Sequence, residues 1–90
     1  MPVDLKAAAE KEMNRMKKIF ESIEVSGKGM SLDFYQFARA YFDDGIHFFE
    51  KEKYLEAFEA FIISWAYIDA GLKLGYFKVR DSLKEHFTSE

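Results

Sequence analysis

One apolar stripe in the second half of the chain limits the fold more than any other sequence feature. Large apolar residues recur there at spacings of three and four, and they are Tyr54, Phe58, Phe61, Trp65, Ile68 and Leu72. This spacing places them on one narrow face of a helix. Full burial of such a side chain contributes about 1.5–3 kcal/mol before conformational entropy is subtracted. The stripe therefore predicts a helix over about residues 54–74 whose apolar face lies in the core.

A second apolar segment comes directly before this helix and predicts its antiparallel neighbour. The prediction is a helix over about residues 32–51, with Ser31 as its N-cap. The charged turn at residues 50–53 is short, so the two helices must pack side by side. Apolar residues cover more than one face of this helix. We therefore expect it either to lie between the other two helices or to meet another chain.

Two further segments complete a predicted single domain over residues 1–90. Residues 4–24 form a helix with Asp4 as its N-cap, and its apolar stripe is Ala9, Met13, Met16, Phe20 and Ile23. In the tail at residues 78–90, Val79, Leu83 and Phe87 recur every four residues and predict a possible short fourth helix. The predicted fold class is all-α, a three-helix up-down-up antiparallel bundle with this possible C-terminal helix.

Two glycines mark the end of the third predicted helix. Gly75 suits the left-handed conformation that ends many helices, with Tyr76 or Phe77 folding back as the hydrophobic contact. Gly71 lies inside the last turns, where glycine costs about 1 kcal/mol relative to alanine. We therefore expect another group to pack closely against Gly71.

Composition and charge limit the partners of the chain. It has no cysteine, which excludes disulfides and cysteine-based metal sites and fits a reducing cytoplasm. Its longest stretch without a charge, Ala60–Ile68, is far shorter than the roughly 20 residues of a membrane helix. Residues 33–59 carry seven acids and three bases, which disfavours contact with nucleic acid phosphates. We expect a cytoplasmic protein that binds neither membranes nor nucleic acids.

A carboxylate–histidine group on the second predicted helix has the residue types of a metal site. Asp43, His47 and Glu50 share one face of that helix, and such side chains ligate divalent metals. Metal sites in bundles usually draw ligands from several facing helices, and the third helix offers no histidine. An exposed acidic surface is the favoured interpretation, and we predict no metal and no cofactor.

Two aspartates lie next to apolar stripes and need hydrogen-bond partners there. Asp44 is one turn from Tyr41, and Asp69 follows Ile68 directly. A carboxylate beside apolar surface requires donors, and the hydroxyls of Tyr41, Tyr67 and Tyr76 are candidates. A polar network that holds the helices in register is favoured over a catalytic acid.

The central hairpin resembles two known families. Tyr41, Gly45, Phe48, Ala57 and Phe61 have the spacing of one tetratricopeptide-like repeat, but no second repeat precedes it. The segments Tyr41-x-x-Asp44, Ala57-Phe58-Glu59-Ala60 and Ile68-Asp69-Ala70-Gly71-x-x-x-Gly75-x-Phe77 resemble the archaeal domain of unknown function 357, over roughly residues 5–79. That resemblance implies a small helical bundle from an archaeal cytoplasm and brings no activity with it. It singles out Tyr41, Asp44, Asp69, Gly71 and Gly75 as the motif residues.

The sequence leaves two classes of function open. We expect a non-enzymatic protein-interaction or self-assembly module that binds a protein partner or a second copy of itself, with a dimer as the simplest assembly. The alternative is a HEPN-like RNA-processing or nucleotide-binding domain. This alternative depends on Arg80 and His86, whose Arg-x5-His spacing resembles the short motif of HEPN-type ribonucleases. We predict no catalytic residues and rank the enzyme second.

Overall fold

The computed structural model describes residues 4–87. Its elements in chain order are α1 (Leu5–Ser22), β1 (Glu24–Val25), α2 (Ser31–Glu50), α3 (Tyr54–Lys73), β2 (Phe77–Lys78) and a 3₁₀ helix (Asp81–Phe87). The predicted all-α bundle of three long helices is confirmed. No helix in the described part of the chain has the length and apolarity that a membrane crossing requires. The outermost residues of the predicted domain, 1–3 and 88–90, lie outside the described range.

The first helix begins as predicted but ends earlier. The Asp4 side chain caps α1, accepting a hydrogen bond from the Ala7 N–H at 3.0 Å. α1 ends at Ser22 rather than near residue 24 because Ile23 is extended and β1 follows. In the short antiparallel ladder, Glu24 pairs with Lys78 and Val25 pairs with Phe77. Strands of two residues carry no periodic signal, so the sequence did not predict them.

The start of α2 differs from the prediction. Ser31 is the first helical residue and the N-cap is Met30, which makes no side-chain capping bond. The Ser31 N–H donates to the Lys28 carbonyl at 3.0 Å, and the Phe34 N–H donates to that of Met30 at the same distance. The helix thus starts one residue early, and the Ser31 side chain is fully buried instead of capping.

The third helix ends in the glycine cap that the sequence predicted. Gly75 has φ +78°. Its N–H donates to the Leu72 carbonyl at 3.2 Å, and the Tyr76 N–H donates to the Gly71 carbonyl at 2.8 Å. This pair of bonds defines a Schellman motif, which turns the chain sharply and directs Phe77 back against the helix.

α3 is the central element of the bundle, and this corrects the expectation that α2 might lie between the other helices. α3 contacts both neighbours along its length, whereas α1 touches α2 chiefly through Phe20, whose ring lies 5.1 Å from that of Phe42. α1 runs parallel to α3, since Lys6 lies over the Tyr54 ring and Arg15 lies over the Trp65 ring. α2 is therefore left with a face that no element of residues 4–87 covers.

The apolar stripe predicted for α3 is only partly its buried face. Of the six predicted residues, only Phe61 and Ile68 are buried, and the others are half-buried. The buried line is instead Ala57, Ala60, Phe61, Ser64, Ile68 and Gly71. Four of these six residues are small because the backbones of α2 and α3 approach each other closely on this side. The Ser64 hydroxyl of α3 donates a hydrogen bond to the Ala38 carbonyl of α2 at 2.6 Å. Tyr54 and Trp65 of the predicted stripe lie on the flank that faces α1 and the 3₁₀ helix.

The C-terminal segment forms a short helix, as a 3₁₀ rather than an α-helix. Trp65 holds it in place. The indole ring stacks on Phe87 at 5.7 Å between ring centroids, and its Nε1–H donates to the His86 carbonyl at 2.9 Å. Leu83 and Val79 are buried beneath this contact.

Candidate functional site

A cluster of partly exposed aromatic side chains lies on the side of the α2–α3 hairpin that faces away from α1. We call it the aromatic face, and it consists of Phe34, Phe37, Tyr41, Ile63 and Tyr67. The Tyr67 ring lies at its centre, 5.9 Å from Phe34, 5.4 Å from Phe37 and 5.9 Å from Tyr41 between ring centroids. Phe37 is 49% exposed and Ile63 is 40% exposed.

Helical spacing explains why these residues share one surface. Phe34, Phe37 and Tyr41 follow each other at intervals of three and four on α2, and Ile63 and Tyr67 are four apart on α3. The opposite flank of α2 carries Tyr35 and Phe42, which contact Phe20 of α1. α1 thus covers one side of the hairpin and leaves the aromatic face open.

Four exposed carboxylates border the aromatic face, and we call them the acidic rim. On α2, Asp33 lies one turn before Phe37 and Asp44 lies one turn after Tyr41. On α3, Glu59 lies one turn before Ile63, and Glu56 lies two turns before it. Of the two Lys and Arg residues within α2 and α3, Arg39 lies over the Phe20 and Phe42 rings on the opposite flank, and Lys73 pairs with Asp69. Both long edges of the aromatic face are therefore negatively charged.

The predicted polar network between Asp44, Asp69 and the tyrosines is not present in residues 4–87. Asp44 is exposed, and it contributes to the acidic rim. Asp69 accepts hydrogen bonds from Lys73 Nζ at 2.7 and 2.8 Å, one helical turn away. Tyr41 and Tyr67 stack on one another, with their ring planes 17° apart. The motif aspartates thus lie on different sides of the hairpin and do not form one site.

The two motif glycines, Gly71 and Gly75, have structural roles. A Cβ at Gly71 would lie closer than 3.0 Å to two atoms of the Phe77 ring, so Phe77 is the close neighbour that the sequence led us to expect. Gly75 needs no such space, since nothing lies within 4 Å of where a Cβ would be, but its φ of +78° disfavours other residues. Gly71 and Gly75 together allow the chain to return from α3 to β2.

The carboxylate–histidine group of α2 does not assemble a metal site. Asp43, His47 and Glu50 are all exposed. Asp43 lies 3.6 Å from the guanidinium of Arg39, which in turn covers the rings of Phe20 and Phe42. Within residues 4–87 no group of three or more potential ligands could hold a metal ion.

Arg80 and His86 do not face a common cavity. His86 lines a cleft of about 470 Å³ between α1 and the 3₁₀ helix, together with Lys11, Arg15 and Lys18. Arg80 is exposed and is not among the residues that line this cleft. The Arg15 guanidinium in the cleft is already engaged, 2.6 Å from a Glu12 carboxylate oxygen and over the Trp65 ring. The geometry thus gives no reaction centre built on Arg80 and His86.

A second cleft, of about 570 Å³, lies between α3 and the 3₁₀ helix. Asp69, Lys73, Asp81 and Lys84 all line it, and they pair with one another. Apolar side chains form much of its wall, including Phe77 and Phe87, which the fold already uses. Four of its five charged side chains thus form ion pairs within their own helices, and Lys78 is the fifth.

Sequence reasoning identified the aromatic surplus of α2 but missed the contribution of α3. Ile63 and Tyr67 fall outside the stripe that was used to predict the helix, although they also recur at a helical spacing. A projection of α3 around its whole circumference would have shown this second face, with Glu56 and Glu59 beside it.

Comparisons with known proteins agree with this architecture. The model of a protein family described as "Protein of unknown function (DUF357)" matches residues 6–77. A crystal structure of protein AF1782 from Archaeoglobus fulgidus, assigned to the same family, superposes with a TM-score of 0.74 at 26% sequence identity. The similarity covers 86% of this chain and 95% of that one. No curated protein matches the chain. Since the family model spans most of its length, the chain belongs to the DUF357 family.

Proposed function

We propose that this chain is a non-enzymatic protein-interaction module and that the aromatic face is its contact surface. The observation that carries the proposal is the contiguous set of partly exposed aromatic rings on the side of the hairpin away from α1, among which Phe37 is 49% exposed. Scattered apolar residues are normal on a protein surface, but a contiguous patch with a polar border marks a binding surface. Aromatic side chains are also the residues that contribute most to protein interfaces.

The energetics favour covering this surface. Full burial of a phenylalanine contributes about 1.5–3 kcal/mol, so covering the exposed half of Phe37 would contribute about 1 kcal/mol. Tyr67, Phe34 and Tyr41 are already held by mutual ring contacts, so little side-chain entropy is lost when a partner binds. A rigid aromatic cluster of this kind is suited to act as the anchor of an interface.

The rest of the molecule supports a binding role over a catalytic one. The charged side chains that line the two clefts include three ion pairs, Arg15–Glu12, Lys73–Asp69 and Lys84–Asp81, each between neighbouring turns. Such pairs hold these six side chains in place, and His86 lies in its cleft without Arg80, the partner that the enzyme hypothesis requires. We also place the module in the cytoplasm, since a chain without cysteine suits a reducing compartment.

The size of the native complex tests this proposal. The tagged chain, expressed at its natural level in its host, is expected to elute in size exclusion well above its own 10.6 kDa. Phe37→Ser should release it as a monomer, because the substitution removes an aromatic anchor from the contact surface. Leu55→Ser is the matched control, since Leu55 is also 49% exposed but lies on α3 outside the aromatic face.

Two outcomes would contradict the proposal. One is a wild-type chain that elutes alone under native conditions. The other is a complex that Leu55→Ser disrupts as strongly as Phe37→Ser does. Light scattering of the purified chain then separates the two forms of the proposal, because self-assembly persists in the pure protein and binding to a different protein does not.

A further inference from the structure

We infer that the occupant of the aromatic face is a basic amphipathic helix of another protein rather than a second copy of this chain. This inference rests on the proposed function, since it assumes that the aromatic face binds a protein. It is carried by the acidic rim, by the helix that covers the other side of the hairpin, and by the dimensions of the face.

The acidic rim selects the charge of the partner. Asp33 and Asp44 on one edge and Glu56 and Glu59 on the other are all exposed, and no base lies among them along these edges. Complementary charge at the border of an interface accelerates association and excludes partners of like charge. A partner with Lys or Arg on both sides of its apolar stripe therefore fits this border.

A second copy does not fit the same border. A two-fold dimer places the same surface on both sides of the interface. Because both edges of the face are acidic, either edge of one copy would meet an acidic edge of the other. The acidic rim thus opposes self-association at this face, and it opposes nucleic acid phosphates and anionic lipid surfaces for the same reason.

The hairpin itself indicates that the partner is a helix. α1 lies against one side of the α2–α3 pair through its buried residues Ala9, Met16 and Ile19. A helix laid on the aromatic face would occupy the corresponding position on the other side and complete a four-helix arrangement. Amphipathic helices bind apolar surfaces in this way, through anchors at intervals of three and four residues.

The length of the apolar flank of α2 sets the length of the partner. This flank continues past the aromatic face to the half-buried Phe48. Phe34 and Phe48 are separated by 14 residues, or about 21 Å of helix. A helix of roughly 18 residues spans about 27 Å and covers this distance.

Peptide binding tests the inference. The probes are two fluorescent 18-residue helices with the same Leu and Ile stripe, one flanked by Lys and the other by Glu, measured by anisotropy. The purified chain is expected to bind the Lys-flanked peptide about tenfold more tightly, and the difference should shrink at high salt. The double variant Asp44→Lys with Glu59→Lys should abolish the preference, because two lysines then balance the remaining Asp33 and Glu56. Glu10→Lys with Glu21→Lys, which makes the same change of charge at exposed positions of α1, should leave it unchanged.

The outcomes separate this inference from the proposed function. Equal binding of both peptides, lost in Phe37→Ser, would keep the aromatic face as a binding surface and overturn the basic partner. A purified chain that dimerises, and that Phe37→Ser makes monomeric, would replace the basic helix by a second copy. Binding of neither peptide would overturn the inference and leave the native-complex experiment to decide the proposed function. Far-UV circular dichroism of every variant confirms that the helices are intact.

Discussion

At the scale of single residues, Gly45 and Gly71 each lower the stability of their own helix but allow close packing between elements. Glycine inside a helix costs about 1 kcal/mol relative to alanine. Gly45 is nevertheless the point of close approach between α2 and α3, since a Cβ there would lie closer than 3.0 Å to three atoms of the buried Phe61 ring. Gly71 has the same relation to Phe77. Tertiary packing at these positions outweighs helix propensity.

Gly45→Ala distinguishes these two effects by the sign of the change. Helix propensity alone predicts that alanine raises the free energy of unfolding by about 1 kcal/mol. Because the added methyl group must displace the buried Phe61 ring, we expect a net decrease of about 1–3 kcal/mol. Urea unfolding followed by circular dichroism measures the difference. An increase in stability would show that α2 and α3 are farther apart than described.

Predictions from the sequence were correct at positions where the residue type alone determines the local backbone geometry. Asp4 as a cap and Gly75 as a left-handed residue are both observed. The prediction of Ser31 as an N-cap was wrong. An N-cap residue precedes the helix, whereas the hydrogen bonds to the Lys28 and Met30 carbonyls make Ser31 the first helical residue. The prediction that tyrosine hydroxyls donate to Asp69 was also wrong. Lys73 lies one helical turn away and donates to both carboxylate oxygens instead.

At the scale of secondary-structure elements, α3 has three sides that differ in their contacts. Its small residues meet α2, its flank with Trp65 meets α1 and the 3₁₀ helix, and Ile63 and Tyr67 remain on the open aromatic face. The sequence predicted that α3 is a helix, but the side that it assigned to the core was only partly right, because apolar residues lie on most of the circumference of α3. Only the position of its neighbours distinguishes a buried apolar side from an exposed one.

The contact between Trp65 and the 3₁₀ helix predicts a spectroscopic change. Phe87→Ala should shift the fluorescence emission of the chain to longer wavelength, because the substitution uncovers the only tryptophan. We also expect a loss of about 1–3 kcal/mol in the free energy of unfolding for this partly buried ring. Phe37→Ala serves as the control, since Phe37 lies on the other side of the hairpin. An unchanged emission in Phe87→Ala would contradict the described position of the C-terminal helix.

At the scale of the whole molecule, the chain is a three-helix bundle in which one hairpin is covered on one side only. α1 fills the side that carries Tyr35 and Phe42, and the side with Phe37 and Tyr67 stays open. The sequence indicated this imbalance through the apolar surplus of α2. It could not locate the open side, because that depends on which flank of the hairpin α1 covers, and residues far apart in the chain determine it.

The most direct measurement of the central claim is a cross-linking scan around α3 in the native host. A photoreactive amino acid is placed in turn at Leu55 and at Ile63, which are both exposed on α3, Leu55 outside the aromatic face and Ile63 within it. We predict adducts from position 63 and none from position 55, because only Ile63 belongs to the aromatic face. Adducts of equal yield from both positions, or from position 55 alone, would contradict the assignment of the aromatic face as the contact surface.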